Sequence, residues 1–168
     1  MLVLAYKDHR INLRLYSKET KTWTPIPDTI EIRGWKPAIV ATKVGSQNRV
    51  YLFGGSYRLK LYDSIEYLDI CDNPKWIKIE STDPSSPSVL TTSRYHTAAA
   101  LLDSTTVIIC GGLNHAHNGI KSCESFNTTT HIVSPFPDML GPRARNNSFS
   151  FFVVFTKLIL HRSRCCSL

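Results

Sequence analysis

Short apolar runs separated by turn residues dominate the hydrophobic pattern of this chain. Runs rich in aromatic and β-branched residues, such as residues 50–53 and 107–109, are bounded by Gly, Pro, Asn, Asp and Ser. This texture is typical of many short strands joined by turns. The pattern therefore predicts an all-β fold.

An internal repeat organises these runs. Residues 50–55 (VYLFGG) recur 57 positions later as residues 107–112 (VIICGG). Downstream, residues 64–69 (SIEYLD) recur 58 positions later as residues 122–127 (SCESFN). Self-similarity at a fixed period is the sequence signature of a repeat architecture.

Each unit of the repeat contains four apolar segments. The first precedes the double glycine and lies at residues 94–100 in one unit and, more weakly, at residues 37–41 in the other. The second ends in the double glycine, the third contains a glutamate, and the fourth surrounds Trp76 or Val133. Four short antiparallel strands per unit, separated by polar turns, are typical of propeller blades.

Several motif positions have physical roles in such a unit. Glycines that end a buried strand allow close backbone approach or a positive φ. A large aromatic fills space between twisted sheets, and a glutamate inside a strand needs an Arg or a backbone N–H as partner if it is buried. The structural motif residues are Gly54, Gly55, Glu66, Trp76, Arg94, His96, Gly111, Gly112 and Glu124.

These positions together resemble the Kelch repeat over roughly residues 13–148, with Val133 in place of the family tryptophan in the second unit. The resemblance implies a β-propeller of four-stranded antiparallel blades. It also implies a non-catalytic platform that binds protein partners through loops on one face. Kelch repeats occur in substrate adaptors of cullin-RING ubiquitin ligases and in actin-associated proteins.

The repeat divides the chain into two complete blades and two partial ones. Residues 1–31 end a partial blade, 32–86 and 87–139 are Kelch repeats, and 140–168 start a partial blade with a divergent tail. A closed propeller has typically about 4–8 blades, so these blades cannot close a ring alone. We therefore expect self-association through open blade edges.

Two loops are the candidate sites for a protein partner. They span residues 56–62 and 113–121, and the alternative for each is an ordinary solvated loop. The insert at residues 81–92 is a further exposed loop. The candidate binding residues are Arg58, Lys60, Asn114, His115, His117 and Asn118.

Composition narrows the partners and the location. The net charge is +7, but the charges are scattered, so we expect no nucleic-acid partner. The five cysteines are odd in number and lack a CxxC spacing, which predicts free thiols and a cytoplasmic location. The apolar run at residues 149–160 is shorter than the roughly 20 residues of a membrane span, so no membrane partner is expected.

No catalytic motif is present, and we expect a protein that is not an enzyme and uses no cofactor. His115 and His117 lack Cys or carboxylate companions at ligand spacing, which argues against a metal site. The alternative is a fragment of a propeller enzyme, such as a copper oxidase similar to galactose oxidase. Such enzymes gather Tyr, His and Cys from distant blades, which a partial propeller cannot do.

Overall fold

A computed structural model describes residues 2–7, 10–26, 36–71, 73–81 and 87–144, with side chains from Arg14 onward. In this part of the chain there are thirteen β-strands and no helix, which confirms the all-β prediction. The strands form antiparallel sheets of two to four strands, and within the described ranges no sheet closes on itself. The predicted divergent tail and the strand expected after Ala144 lie outside the described residues.

The N-terminal sheet has three strands in the order β1 (Leu2–Lys7), β2 (Arg10–Tyr16) and β3 (Trp23–Pro25). The sequence predicts only the last two, as the closing strands of a partial unit. The structure adds β1, which pairs with β2 along its whole length. Comparison of the repeats does not detect β1, because the double glycine that marks the other units is missing here.

The middle sheet has the order β4, β5, β8, β9, with ranges Ala38–Val44, Gln47–Phe53, Ile65–Asp69 and Trp76–Lys78. β4 and β5 form a hairpin through Gly45, whose φ of 58° suits a residue without a side chain. The connection from β5 to β8 contains a small hairpin of β6 (Ser56–Tyr57) and β7 (Lys60–Leu61). The hydrophobic pattern does not predict this small hairpin, since it is too short to form a periodic run.

The C-terminal sheet repeats the strand order of the middle sheet. Its strands β10, β11, β12 and β13 span Ala98–Leu101, Thr106–Cys110, Cys123–Asn127 and Val133–Phe136. Register is conserved between the two sheets. Ile109 pairs with Glu124 in the C-terminal sheet, as Leu52 pairs with Glu66 in the middle sheet.

Two hydrophobic clusters pack the sheets together. The first joins the middle and C-terminal sheets, where Tyr51 and Phe53 contact the Phe126 ring edge-on at centroid distances of 5.3 and 5.4 Å. The second packs the other face of the middle sheet, including Trp76, against Leu15 of the N-terminal sheet. Alternate side chains of β5 therefore enter opposite cores, which explains its continuous apolar run.

Cys110 and Cys123 form a disulfide with Cα atoms 4.2 Å apart. Cys71 is also disulfide-bonded, so the prediction of free thiols is wrong for all three residues. The separation of 13 residues between Cys110 and Cys123 matches no short motif. Strand pairing sets them directly opposite each other on β11 and β12. The same register in the middle sheet holds the apolar pair Phe53 and Ile65.

Candidate functional site

The loops that follow β5 and β11 lie at the same end of the strands in the two four-stranded sheets. The segments that enter the following unit lie at this end too and are hydrogen-bonded to those loops. We call this surface the glycine edge, and it comprises residues 54–64, 87–97, 111–122 and 137–144. It contains every loop residue that the sequence proposes for binding.

A triangle of backbone hydrogen bonds organises the first half of the glycine edge. The Gly55 amide donates to the Arg94 carbonyl at 2.7 Å, and the Arg94 amide donates to the Tyr62 carbonyl at 3.2 Å. The Tyr62 amide closes the triangle by donating to the Gly55 carbonyl at 2.9 Å. The loop of the middle sheet is thereby fastened to the entry of the C-terminal sheet.

The same triangle recurs in the second half of the edge. The Gly112 amide donates to the Arg143 carbonyl at 2.9 Å, and the Arg143 amide donates to the Ile120 carbonyl at 3.2 Å. The Ile120 amide donates to the Gly112 carbonyl at 2.9 Å. A fourth backbone hydrogen bond also recurs: the Leu90 amide donates to the Asp63 carbonyl, and the Met139 amide donates to the Lys121 carbonyl, each at 2.9 Å. Residues 139–143 thus contact the loop of the C-terminal sheet in the same way as residues 90–94 contact the loop of the middle sheet.

The first glycine of each pair is required by close backbone contact. Gly54 and Gly111 have φ values of 60° and 66°. A Cβ on Gly111 would lie 2.5 Å from the Arg143 carbonyl oxygen, and a Cβ on Gly54 would overlap the Arg94 carbonyl oxygen. The double glycine therefore admits the backbone of the next unit, which is the close approach that the sequence predicts.

Arg94 connects the edge to the interior of the C-terminal sheet. Its side chain is fully buried, and Nη2 donates to Oε2 of Glu124 at 2.7 Å. Nη1 donates to the carbonyl oxygens of Gly111 and Ser122 at 3.3 and 3.0 Å. Burial lowers the pKa of Arg94, and the Glu124 carboxylate opposes that shift.

Glu124 has both types of partner that a buried glutamate needs. Besides the Arg94 guanidinium, its Oε1 accepts a hydrogen bond from the Thr91 amide at 2.7 Å. Glu66 occupies the corresponding position on β8 and is also fully buried. Both motif glutamates are thus interior groups rather than contacts for a partner.

The first candidate loop carries an exposed cationic hairpin. Arg58 and Leu59 form the two-residue turn between β6 and β7, and Lys60 begins β7. The Arg58 guanidinium lies 5.3 Å from the Tyr57 ring centroid, and Lys60 Nζ lies 4.8 Å from the Tyr62 ring centroid. The predicted residues Arg58 and Lys60 therefore lie together on one small, exposed element.

The second candidate loop is organised around Asn114. Its Oδ1 accepts hydrogen bonds from the Ala116 and Asn118 amides, each at 3.0 Å. His117 is tied down, because its Nδ1 lies 2.6 Å from the Tyr95 hydroxyl. Asn114 and His117 thus shape the loop, although His117 remains exposed, as His115 and Asn118 are.

Tyr95 is a residue of this edge that the sequence reasoning missed. It is buried, its backbone pairs with Leu113 in a β-bridge, and its ring lies 5.0 Å from that of His96. The His96 amide donates to the Lys36 carbonyl at 3.0 Å, and both residues have positive φ. Only the aromatic character of Tyr95 inside the opening motif could have pointed to it.

The opposite edge carries an aromatic cluster around His131. The His131 ring stacks on Phe126 with an interplanar angle of 9° and a centroid distance of 5.9 Å. Tyr51 and Tyr67 also contact it, and the Arg49 guanidinium lies 4.0 Å from the Tyr67 ring centroid. Among the described residues, Nε2 of His131 is buried without a hydrogen-bond partner.

We expect His131 to make stability depend on pH. Burial, with a smaller contribution from the Arg49 charge, lowers its pKa, so the folded protein binds fewer protons than the unfolded chain. Its stability contribution is therefore full above the unfolded pKa of about 6.5 and is lost as the pH falls through the lowered folded pKa. Urea unfolding from pH 7.5 to pH 5 measures this loss.

The variant His131→Asn flattens this part of the pH profile, because Asn tolerates the left-handed φ of 61° and does not titrate. The other charged or titratable groups near the ring are Arg49 with its Asp69 partner, Tyr51 and Tyr67. The pKa values of Arg49 and Tyr51 are both raised, so neither group changes its protonation between pH 5 and pH 7.5. If the free energy of unfolding of His131→Asn depends on pH as steeply as that of the wild type, His131 is not the cause of the pH dependence. The matched control is His115→Ala, which removes an exposed histidine instead.

In the described ranges no group of three or more His, Cys, Asp and Glu residues is arranged to hold a metal ion. In the same ranges no helix is long and apolar enough to cross a membrane. Neither the protein-family models nor the curated proteins with which the chain was compared give a match.

Proposed function

We propose that this chain is a run of Kelch-type propeller blades that acts as a non-catalytic protein-binding module. The observation that supports it is the repeated triangle of Gly55, Tyr62 and Arg94 in one unit and Gly112, Ile120 and Arg143 in the next. Units joined by the same contacts present their loops side by side. Loops on a rigid scaffold are frequent binding sites.

The chemistry of the glycine edge suits a protein partner. Its exposed residues combine the cations Arg58 and Lys60, the polar His115 and Asn118, and the apolar Leu59. Such a mixture is typical of non-obligate interfaces. The hydrogen bonds that hold both loops also reduce the conformational entropy that binding would remove.

The resemblance adds a wider proposal for the parent protein. A Kelch-type module of this kind would serve a cytoplasmic substrate adaptor of a cullin-RING ligase or an actin-associated protein, and its open blade edges would favour self-association. A lasting disulfide is more typical of oxidising compartments. The thiol state of Cys110 and Cys123, trapped by alkylation in intact cells, therefore tests the cytoplasmic part of this proposal.

The binding proposal predicts that partner affinity depends on one edge only. We expect His115→Ala with Asn118→Ala, or Arg58→Ala with Lys60→Ala, to weaken binding roughly tenfold, since interface residues of this kind contribute about 1–2 kcal/mol. Partners enriched by the wild-type chain would be purified and titrated by calorimetry against each variant. Equal far-ultraviolet circular dichroism spectra would establish that the variants fold alike.

The matched control removes two exposed cations from the opposite edge, in Lys43→Ala with Lys75→Ala. This variant should bind every partner with unchanged affinity. The proposal fails if both glycine-edge variants keep full affinity, or if the opposite-edge variant loses as much as they do.

A further inference from the structure

The hairpin of β6 and β7 differs from every other described part of the glycine edge. At the corresponding place the second unit has only a single antiparallel bridge, between Leu113 and Gly119, and its loop forms a turn around Asn114. The hairpin projects three consecutive exposed side chains, Arg58, Leu59 and Lys60. Leu59 has 86% of its surface exposed, although it is a large apolar residue.

The conformation of this tip is held by the residues beneath it. Arg58 has a φ of 54°, a backbone conformation that residues other than glycine rarely adopt. Ser56 and Tyr62 are buried at the base, and Tyr62 is hydrogen-bonded to Gly55 and Arg94. A strained turn that its surroundings enforce is a reason to look for function.

The cations of the tip are available for a partner. Each lies over the face of a tyrosine, and among the described residues neither Arg58 nor Lys60 forms an ion pair. Contact with the rings restrains the two side chains, so less entropy is lost when they bind an anion. Two positive charges flank one exposed leucine in this arrangement.

We propose that this hairpin tip binds an acidic protein segment that also carries an apolar side chain. This inference rests on the proposed protein-binding function and names the partner chemistry of one of its loops. Carboxylates would pair with Arg58 and Lys60, and the apolar side chain would cover Leu59. Such a partner satisfies all three exposed residues at once.

A nucleic acid fits the tip less well. Two cations neutralise few phosphates, whereas binding to a nucleic-acid backbone commonly involves about 6–10 phosphate contacts. One face of Tyr57 is occupied by the Arg58 cation and Tyr62 is buried, so neither ring offers a fully open face for stacking on bases. Leu59 would also lack an apolar partner on a phosphate backbone.

Fluorescence anisotropy with three short labelled peptides tests the proposal on the full chain. The probes are a peptide of alternating Glu and Leu, an all-Glu peptide and a peptide of alternating Ser and Leu. We expect the Glu-Leu peptide to bind best and to weaken as salt is raised. Arg58→Ala with Lys60→Ala should reduce its affinity at least tenfold, while Lys43→Ala with Lys75→Ala leaves it unchanged.

The variant Leu59→Ser separates the apolar contact from the charges. It should weaken the Glu-Leu peptide severalfold and leave the all-Glu peptide unaffected. The inference is overturned if the hairpin variant and the opposite-edge variant lose affinity equally, or if a single-stranded oligonucleotide binds more tightly than the Glu-Leu peptide. Natural partners that depend on His115 and Asn118 but not on the hairpin would overturn it too, while leaving the proposed function intact.

Discussion

The variant Arg94→Met should lower the free energy of unfolding by about 3–5 kcal/mol, the range for breaking a buried ion pair on one side. The substitution leaves Glu124, which is 2% exposed, without its charge partner. It also removes the donor from the carbonyl oxygens of Gly111 and Ser122. Equilibrium urea unfolding, followed by circular dichroism, measures the loss.

An exposed ion pair provides the matched control. Lys121 and Asp138 lie 3.4 Å apart with side chains 62% and 46% exposed, so Lys121→Met should cost less than about 1 kcal/mol. The double variant Arg94→Met with Glu124→Leu should be more stable than Arg94→Met alone, because no buried charge is left unpaired. A loss below about 1 kcal/mol in Arg94→Met would contradict the buried-pair explanation.

The variant Gly111→Ala should lower the free energy of unfolding by about 2–5 kcal/mol. The left-handed backbone accounts for about 1–2 kcal/mol, and the overlap with the Arg143 carbonyl accounts for about 1–3 kcal/mol more. Met139 Cε, at 2.9 Å from the added carbon, can move aside, but the Arg143 backbone is held by its hydrogen bond to Gly112. We expect the same result for Gly54→Ala, which meets the backbone of Arg94.

Substitutions at two other glycines separate the cost of the left-handed backbone from the cost of the close contact. Gly45 has a φ of 58° but open space around it, so Gly45→Ala should show the backbone cost alone. Gly141 has no atom within 4 Å of an added carbon and no positive φ, so Gly141→Ala should be nearly neutral. If Gly111→Ala and Gly45→Ala lower the free energy of unfolding equally, the close approach of Arg143 to Gly111 makes no contribution to stability, which would contradict the prediction.

The variants Arg94→Met and Gly54→Ala test the same joint from its two sides. Arg94 supplies the backbone carbonyl that fills the space above Gly54, and its side chain crosses to Glu124 in the following sheet. A loose joint would let the loops of adjacent units move independently. If a folded Gly54→Ala variant lost partner binding, the cause would be the changed position of the loops, because Gly54 has no side chain that could contact a partner.

The fold class and the repeat followed from the sequence because they depend on local pattern. Apolar runs of strand length ending in a double glycine recur at a constant spacing, and each run became a strand in the same order. Trp76 entered the space between two sheets, as its size requires. The β1 strand escaped prediction, since its partner is specified by pairing with β2 rather than by the repeated motif.

The candidate loops were also visible in the sequence, but the roles of their residues were not. The sequence does not distinguish the four polar residues Asn114, His115, His117 and Asn118. In the structure, Asn114 is hydrogen-bonded within the loop and His117 is hydrogen-bonded to Tyr95. Which of them faces a partner depends on hydrogen bonds between segments. Such bonds follow from the fold rather than from spacing.

The sequence by itself determined that this protein is all-β, that two units repeat, and that glycines end the second strand of each unit. Periodicity and turn chemistry act over a few residues, so they can be read without coordinates. Only the tertiary structure decided that Cys110 meets Cys123, that Arg94 pairs with Glu124, and that Gly111 receives the backbone of Arg143. These contacts join residues 13, 30 and 32 positions apart, and their formation depends on strand register and on the packing of one unit against the next.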